Sequence, residues 1–135
     1  MNHIAVQAPL SLRDFCSRFC QILNLPGCEF GFEDATEWGL VEVNNIEYNI
    51  SRPYEEGTLQ EWDDTVPVGC NFGISLILYR EHPNARDIDW PFSNLVVPVC
   101  RQIAIGFGIP VHFHRTWLGM GHNVRRTQTF QPDMD

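Results

Sequence analysis

The chain has 135 residues, of which 44% are hydrophobic and 12% aromatic, and a formal net charge of −8 at pH 7. This length and composition are typical of one globular domain with its own core, and they exclude a disordered chain. The negative charge disfavours binding to a nucleic-acid backbone, which requires clustered Lys and Arg side chains.

Most of the negative charge lies in one contiguous segment. Between Glu29 and Asp64 there are eleven acidic residues and a single basic residue, Arg52, so this segment carries a charge of −10. The rest of the chain holds six acidic residues and eight arginines, which gives +2. A protein with this distribution attracts cationic partners.

The first predicted element is a helix that begins after Ser11. The Ser11 side chain can cap the amide three residues further on, and Asp14 supplies an acidic group in the first turn. Apolar residues then recur at helical spacing and form one stripe: Leu12, Phe15, Cys16, Phe19, Ile22 and Leu23. Pro26 ends the helix because it disfavours helical geometry at the residue before it. We expect the two ends of the chain, residues 1–9 and 131–135, to be loosely ordered.

Three strands are predicted next, in CEFGFE (28–33), EWGLVEV (37–43) and IEYNISR (46–52). Apolar and polar residues alternate in each, and Asn44-Asn45 fits a two-residue hairpin turn, which predicts an antiparallel meander with one buried face. The exposed face would carry acidic side chains: Glu29, Glu33 and Glu47, with Glu37 or Glu42 depending on the register.

The second half of the chain predicts one central strand, one helix and a final pair of strands. The strand lies in CNFGISLILYR (70–80), where apolar residues occupy both faces. The helix lies in FSNLVVPVCRQIAIGFG (92–108) and ends at Gly106 and Gly108. We expect it to start near Ser93 or Asn94, or later if Pro98 is to lie in its first turn. The last strands lie in VHFHRTW (111–117) and NVRRTQTF (123–130). The order α-βββ-β-α-ββ predicts a single α+β domain over residues 1–135, with an antiparallel sheet of about five to six strands and two helices packed on one face.

Three histidines form the first candidate site. His112 and His114 are two residues apart on a predicted strand and therefore lie on the same face, while His122 follows the next turn. Three imidazoles can hold a zinc ion with an open fourth position. The commoner explanation of such a pattern is a half-exposed strand face, and we favour it.

Three arginines close to these histidines form the one basic cluster of the sequence: Arg115, Arg125 and Arg126. Guanidinium groups make bidentate contacts with carboxylates and phosphates, so a small anionic ligand could bind between the last two strands. The alternative, which we favour, is that these arginines pair with the acidic strands.

The remaining signals argue against an enzyme. The five cysteines show no C-x-x-C pair, which indicates free thiols in a reducing cytoplasm: Cys16, Cys20, Cys28, Cys70 and Cys100. No signal peptide or membrane-spanning stretch is evident. Motifs of nucleotide-binding proteins, serine hydrolases and zinc proteases are absent. We therefore predict no catalytic residue and no cofactor.

The stretch PYEEGTLQEWDD, residues 53–64, is the second candidate site. It lacks the ligand register of a calcium loop, and a run this hydrophilic shows no sign of the buried carboxyl group that acid catalysis needs. A solvated linker and a docking surface both remain open. On a docking surface the two aromatic residues would be ringed by acids, and the contact residues would be Tyr54, Glu55, Glu56, Glu61, Trp62, Asp63 and Asp64.

In its small size and in the acidic stretches EFGFEDATEWGLVEVNN and PYEEGTLQEWDD, the chain resembles the small acidic immunity proteins that bacteria use against polymorphic or contact-dependent growth-inhibition toxins. The resemblance implies that an acidic face docks on a cationic toxin domain and blocks its active site. We therefore predict a basic protein partner, no nucleic acid and no membrane. The alternative is a small metal- or anion-binding enzyme or regulatory module that uses the histidines and arginines described above.

Overall fold

A computed structural model of the chain describes residues 2–78, 96–119 and 122–133, with the backbone alone for residues 78, 116–119 and 122–126. These residues form seven strands and three helices: β1 (Asn2–Val6), α1 (Leu12–Leu23), β2 (Glu29–Glu33), β3 (Thr36–Val43), β4 (Ile46–Pro53), α2 (Thr58–Trp62), β5 (Phe72–Leu78), α3 (Val96–Phe107), β6 (Val111–Gly119) and β7 (His122–Phe130). The α+β class is as predicted, whereas β1 and α2 were not predicted. In this part of the chain no helix is long and apolar enough to cross a membrane.

The seven strands form one antiparallel sheet in the order β2-β3-β4-β5-β1-β6-β7. β5 is the central strand, as predicted. The expectation of loose order for residues 1–9 is wrong, because β1 pairs with both β5 and β6 and buries Ile4 and Val6. The residues of β1, NHIAV, do not alternate between apolar and polar, because both faces of this strand are covered.

α1 begins and ends where the sequence predicts. The Ser11 hydroxyl accepts a hydrogen bond of 3.1 Å from the Asp14 amide, and Asn24 ends the helix in the left-handed conformation. The apolar stripe of α1 faces the sheet. Its Phe15 ring is fully buried and stacks on Phe72 of β5 with 4.1 Å between the ring centroids.

α3 packs beside α1 on the same face of the sheet. The expected start near Ser93 or Asn94 lies outside the described residues. In the helix as described from Val96, Pro98 lies in the first turn, and Gly108 follows its last residue with a positive φ of 69°. Gly106 lies inside the helix rather than at its end. A β-carbon there would collide with the Ile22 side chain of α1, so this glycine allows the two helices to approach closely.

The meander of β2, β3 and β4 has the predicted turn, and its register settles which acidic residues share a face. Asn44 and Asn45 both have positive φ, 55° and 64°, as a tight hairpin turn requires. Glu37 lies on the helix-covered face, where its carboxylate is 3.5 Å from the Arg52 guanidinium. The face without α1 and α3 carries four acidic residues of the meander: Glu29, Glu33, Glu42 and Glu47.

α2 covers part of this second face. Ala5 and Gly73 are cross-strand neighbours there, and their small size leaves room for Leu59 of α2. Leu59 packs with Ala5, Val66 and Cys70 in a small cluster of buried residues, separate from the main core. The two central strands, β1 and β5, are therefore covered on both faces.

Candidate functional site

The predicted docking stretch meets the turn between β2 and β3 at one end of the sheet. The Tyr54 amide donates a hydrogen bond of 3.1 Å to the Ala35 carbonyl, and Trp62 lines a cleft together with residues 33–36. The acidic loop and this acidic turn therefore form one surface, which we call the acidic end. Its exposed acidic and aromatic residues are Phe32, Glu33, Asp34, Tyr54, Glu55, Glu56, Glu61, Trp62 and Asp64.

Three aromatic side chains are exposed at the acidic end. The exposed fraction is 79% for Phe32, 53% for Tyr54 and 56% for Trp62. Phe32 was not among the predicted contact residues, because the alternation of β2 assigns it to the buried face. It lies near the end of β2, an edge strand, where the helices do not cover it. Exposed aromatic groups that lie together are typical of surfaces that contact another molecule.

Asp63 is a predicted contact residue whose carboxylate is bound within the protein. It caps the end of α2, and its Oδ1 accepts hydrogen bonds from the Thr65 amide (2.9 Å) and hydroxyl (2.6 Å). Its Oδ2 lies 2.7 Å from Nε2 of His114 on β6. Desolvation by itself would raise the pKa of Asp63, but the bonds from Thr65 and the nearby His114 lower this pKa below its ordinary value. The carboxylate thus holds α2 against the sheet, a role that the sequence does not reveal.

Next to Asp63, three polar side chains lie in a row across the sheet. Ser75, His3 and His114 are cross-strand neighbours on β5, β1 and β6. The Ser75 hydroxyl is 3.3 Å from Nδ1 of His3, and the rings of His3 and His114 stack with centroids 5.0 Å apart. Burial, together with the nearby His114, lowers the pKa of His3, so this imidazole is neutral at pH 7.

These residues line a cavity of about 350 Å³ between α2 and the sheet, which we call the histidine cavity. The sheet provides two imidazoles, two hydroxyls and a floor of small residues, while α2 and the loop after it provide Leu59, Trp62, Asp63 and Val66. Asp63 is the one carboxylate among these lining residues, and no arginine is among them. The volume lies at the lower end of the range for small-molecule sites.

The strand register does not bring together the three histidines that were the less favoured, metal-binding alternative. His112 and His114 share a face of β6, and Nδ1 of His112 lies 3.0 Å from the Thr129 hydroxyl. The register pairs His122 with Gly119, five residues beyond His114 and thus roughly 16 Å along the strand. The His122 side chain itself lies outside the described part. Among the described residues, no group of three or more His, Cys, Asp or Glu side chains is arranged to hold a metal ion.

Only one of the three arginines singled out in the sequence has a described side chain. Arg115 is only 7% exposed and lies on the helix-covered side of β6, the side of the core residue Phe113. In the register of β6 and β7, Arg126 stands opposite Arg115 and Arg125 stands opposite Thr116. The side chains of Arg125 and Arg126 lie outside the described residues, so the predicted anion site does as well.

Besides Phe32, sequence reasoning missed His3 and Ser75 of the histidine cavity. His3 lies in a segment expected to be loosely ordered, and its partners are more than 70 residues away in the chain. One signal was present in β5, where Gly73 and Ser75 stand on a face that a fully apolar strand would fill with larger side chains. Small residues on one face of a buried strand indicate that another group approaches closely.

Comparisons of this chain with models of protein families, with curated proteins and with solved structures give no match. Its function is therefore inferred from two features, the acidic end and the histidine cavity.

Proposed function

We propose that this chain is a protein-binding module whose acidic end docks on a cationic protein partner. The observation that supports this proposal is the joint exposure of Phe32, Tyr54 and Trp62 among acidic side chains. Aromatic rings supply contact area with few rotatable bonds, and the surrounding carboxylates select a basic partner over others.

The charge and the rigidity of the acidic end both favour docking. It belongs to the segment of charge −10, which speeds the approach of a basic protein and makes association sensitive to salt. Trp62 is the last residue of α2, and the bond of Asp63 to His114 fixes that end of the helix to the sheet. A surface fixed in this way loses little conformational entropy on binding.

We further propose that the partner is a toxin domain and that this chain is its immunity protein. The resemblance to small acidic immunity proteins supports this proposal, as does the complementarity between an acidic surface and an active site that handles an anionic substrate. The mechanism is occlusion: the acidic end covers the basic active site, and rapid steered association neutralises the toxin before it acts. No chemical step by this chain is required.

The test compares wild type with E55K/E56K/E61K, a variant that reverses three exposed acids of the acidic end. Asp63 is left intact because its loss would disturb α2. The matched control, E29K/E42K/D133K, changes the net charge equally at exposed acids away from this end. The binding probe is the purified product of the gene adjacent to this one, and growth is measured when that product is expressed alone or together with each variant.

We expect wild type and control to bind the probe and restore growth, and E55K/E56K/E61K to bind about 100-fold more weakly. Thermal unfolding of all three proteins checks that they are folded. Equal binding by the two triple variants would rule out the acidic end as the site. A neighbouring product that neither binds wild type nor arrests growth would count against the immunity function.

The histidine cavity supports a second candidate function, the binding of a small uncharged molecule. A neutral His3 and the serine hydroxyls can each donate and accept hydrogen bonds, while Trp62 offers a flat surface at the same cavity. The absence of arginine among its lining residues disfavours an anion. Adenine and nicotinamide are suitable planar probes. Titration with either compound should shift the NMR signals of His3 and His114 in wild type. The same signals should not shift in S75L, whose larger side chain fills the cavity. Unshifted signals in wild type would exclude this function for such compounds.

A further inference from the structure

Three of the five free cysteines converge where α1 meets the start of β2. Cys16 and Cys20 are one turn apart on α1, and Cys28 is the residue before β2. The sulfur atoms of Cys20 and Cys28 are 3.5 Å apart, and the Cys16 side chain is also within hydrogen-bonding reach of Cys28. Cys70 is buried in the loop before β5, and Cys100 is buried in α3.

We propose that Cys20 and Cys28 form a thiol-oxidation site that closes to an intramolecular disulfide on reaction with a low-molecular-weight disulfide such as oxidised glutathione. The sulfur atoms must approach by roughly 1.5 Å to reach the bond length of about 2.05 Å. This movement is small because Cys28 lies in the connection between α1 and β2, outside the paired strand. Cys28 is only partly buried, so the reagent can reach it first.

The reaction is a double thiol–disulfide exchange. The Cys28 thiolate attacks one sulfur of the reagent, forms a mixed disulfide and releases one thiol, which takes up the proton that Cys28 lost. The Cys20 thiolate then attacks the Cys28 sulfur, the bond to the reagent breaks, and a second thiol leaves with the proton of Cys20. Two protein thiols are oxidised, and one reagent disulfide is reduced to two thiols.

The surroundings of the pair make this oxidation slow at neutral pH. The hydrogen bond with Cys16 and burial both raise the pKa of Cys28, and burial together with the neighbouring Cys28 raises the pKa of Cys20 to about 12. Well below these pKa values the thiolate fraction grows tenfold with each pH unit, so the rate should rise about tenfold between pH 7.5 and pH 8.5. The cluster would therefore respond to sustained oxidation rather than to brief exposure.

The experiment treats the folded protein with oxidised glutathione at pH 8.5, blocks the remaining thiols and maps the products by mass spectrometry. We expect one peptide pair joined through Cys20 and Cys28. The C28S variant should lose this product, and C100S, the matched control at a buried cysteine outside the cluster, should keep it. Closing a loop of nine residues should raise the Tm by up to about 9 °C, and dithiothreitol should reverse the shift.

Two results would overturn the proposal. One is folded wild type that carries glutathione on Cys28 but no intramolecular bond. The other is wild type that remains fully reduced while a denatured sample of the same protein is oxidised. Because both results come from the unmodified chain, a folding defect in C28S does not affect the conclusion. The outcome is also independent of whether the acidic end binds a partner.

Discussion

Replacing Asp63 by alanine tests whether this carboxylate holds α2 against the sheet. The substitution removes three hydrogen bonds, two with Thr65 and one with His114. Each bond contributes about 0.5–1.5 kcal/mol net to stability. The side chain of Asp63 is 34% exposed, so water replaces part of what is lost, and the lower half of this range applies. We expect the free energy of unfolding to fall by about 2 kcal/mol.

Urea unfolding followed by far-UV circular dichroism measures this change. For 135 residues, a loss of about 2 kcal/mol corresponds to a Tm lower by about 7 °C. D63N retains an acceptor for the Thr65 donors and should lose about half as much. E61A, at an exposed neighbour, should stay within about 0.5 kcal/mol of wild type. A D63A variant as stable as E61A would refute the proposed role of Asp63.

A double-mutant cycle isolates the contact between α2 and β6. The single variants D63A and H114F are compared with the double variant, and phenylalanine is chosen because it retains a ring against His3. We expect a coupling energy of about 1 kcal/mol for the direct bond between Asp63 and His114. Additive losses would show that the two residues stabilise the protein independently.

Three further predictions concern stability. Stability should decrease from pH 7 to pH 5, because burial lowers the pKa of His3 and His112 below 6.5 and the unfolded state therefore takes up protons first. The midpoint of urea unfolding should fall with pH, and the H3Q variant should show a smaller fall. A midpoint that does not change with pH would contradict this prediction. The F15A variant removes a ring stacked between two other phenylalanines, and its free energy of unfolding in urea should be lower by about 3–5 kcal/mol. The F32A variant removes an exposed ring and should lower this free energy by under about 1 kcal/mol. Similar losses in the two variants would place the core elsewhere. The G57A variant should lower the free energy of unfolding by about 1 kcal/mol in the same assay, because φ at this residue is +89°. The added β-carbon would meet no other atom, so backbone strain is the cause of this loss. An unchanged midpoint would mean that the turn relaxes without strain.

The parts of the fold that the sequence predicts are those fixed by local chemistry. The Ser11 cap, the apolar stripe of α1 and the Asn44-Asn45 turn each depend on residues close in sequence, and each is present in the structure. β1 and α2 contain five residues apiece, and both are held by contacts with distant segments. Their formation depends on tertiary partners, which no local pattern reveals.

The candidate sites likewise have a part that the sequence predicts and a part that depends on contacts between distant segments. The charge count places the acidic end near residues 53–64, since charge is read directly from the sequence. The surface also includes the turn of residues 33–36 and Phe32, and only the arrangement of distant segments brings this turn next to Trp62 and Phe32 to the same groove as Tyr54. The histidine cavity depends on the register between β5, β1 and β6, so pairs such as His3 with Ser75 follow from strand order rather than from spacing.

The position of β1 has a consequence for the order in which the protein folds. β1 is synthesised before β5 and β6, yet it pairs with Leu76 of β5 and with Arg115 of β6, which follow much later in the chain. Until then its backbone hydrogen-bonding groups have no strand partner, and the core cannot close over Ile4. Such long-range pairing slows folding and leaves the nascent chain exposed to aggregation and to chaperones. An extension fused before β1 would also leave the protein from the middle of the sheet rather than from one of its edges.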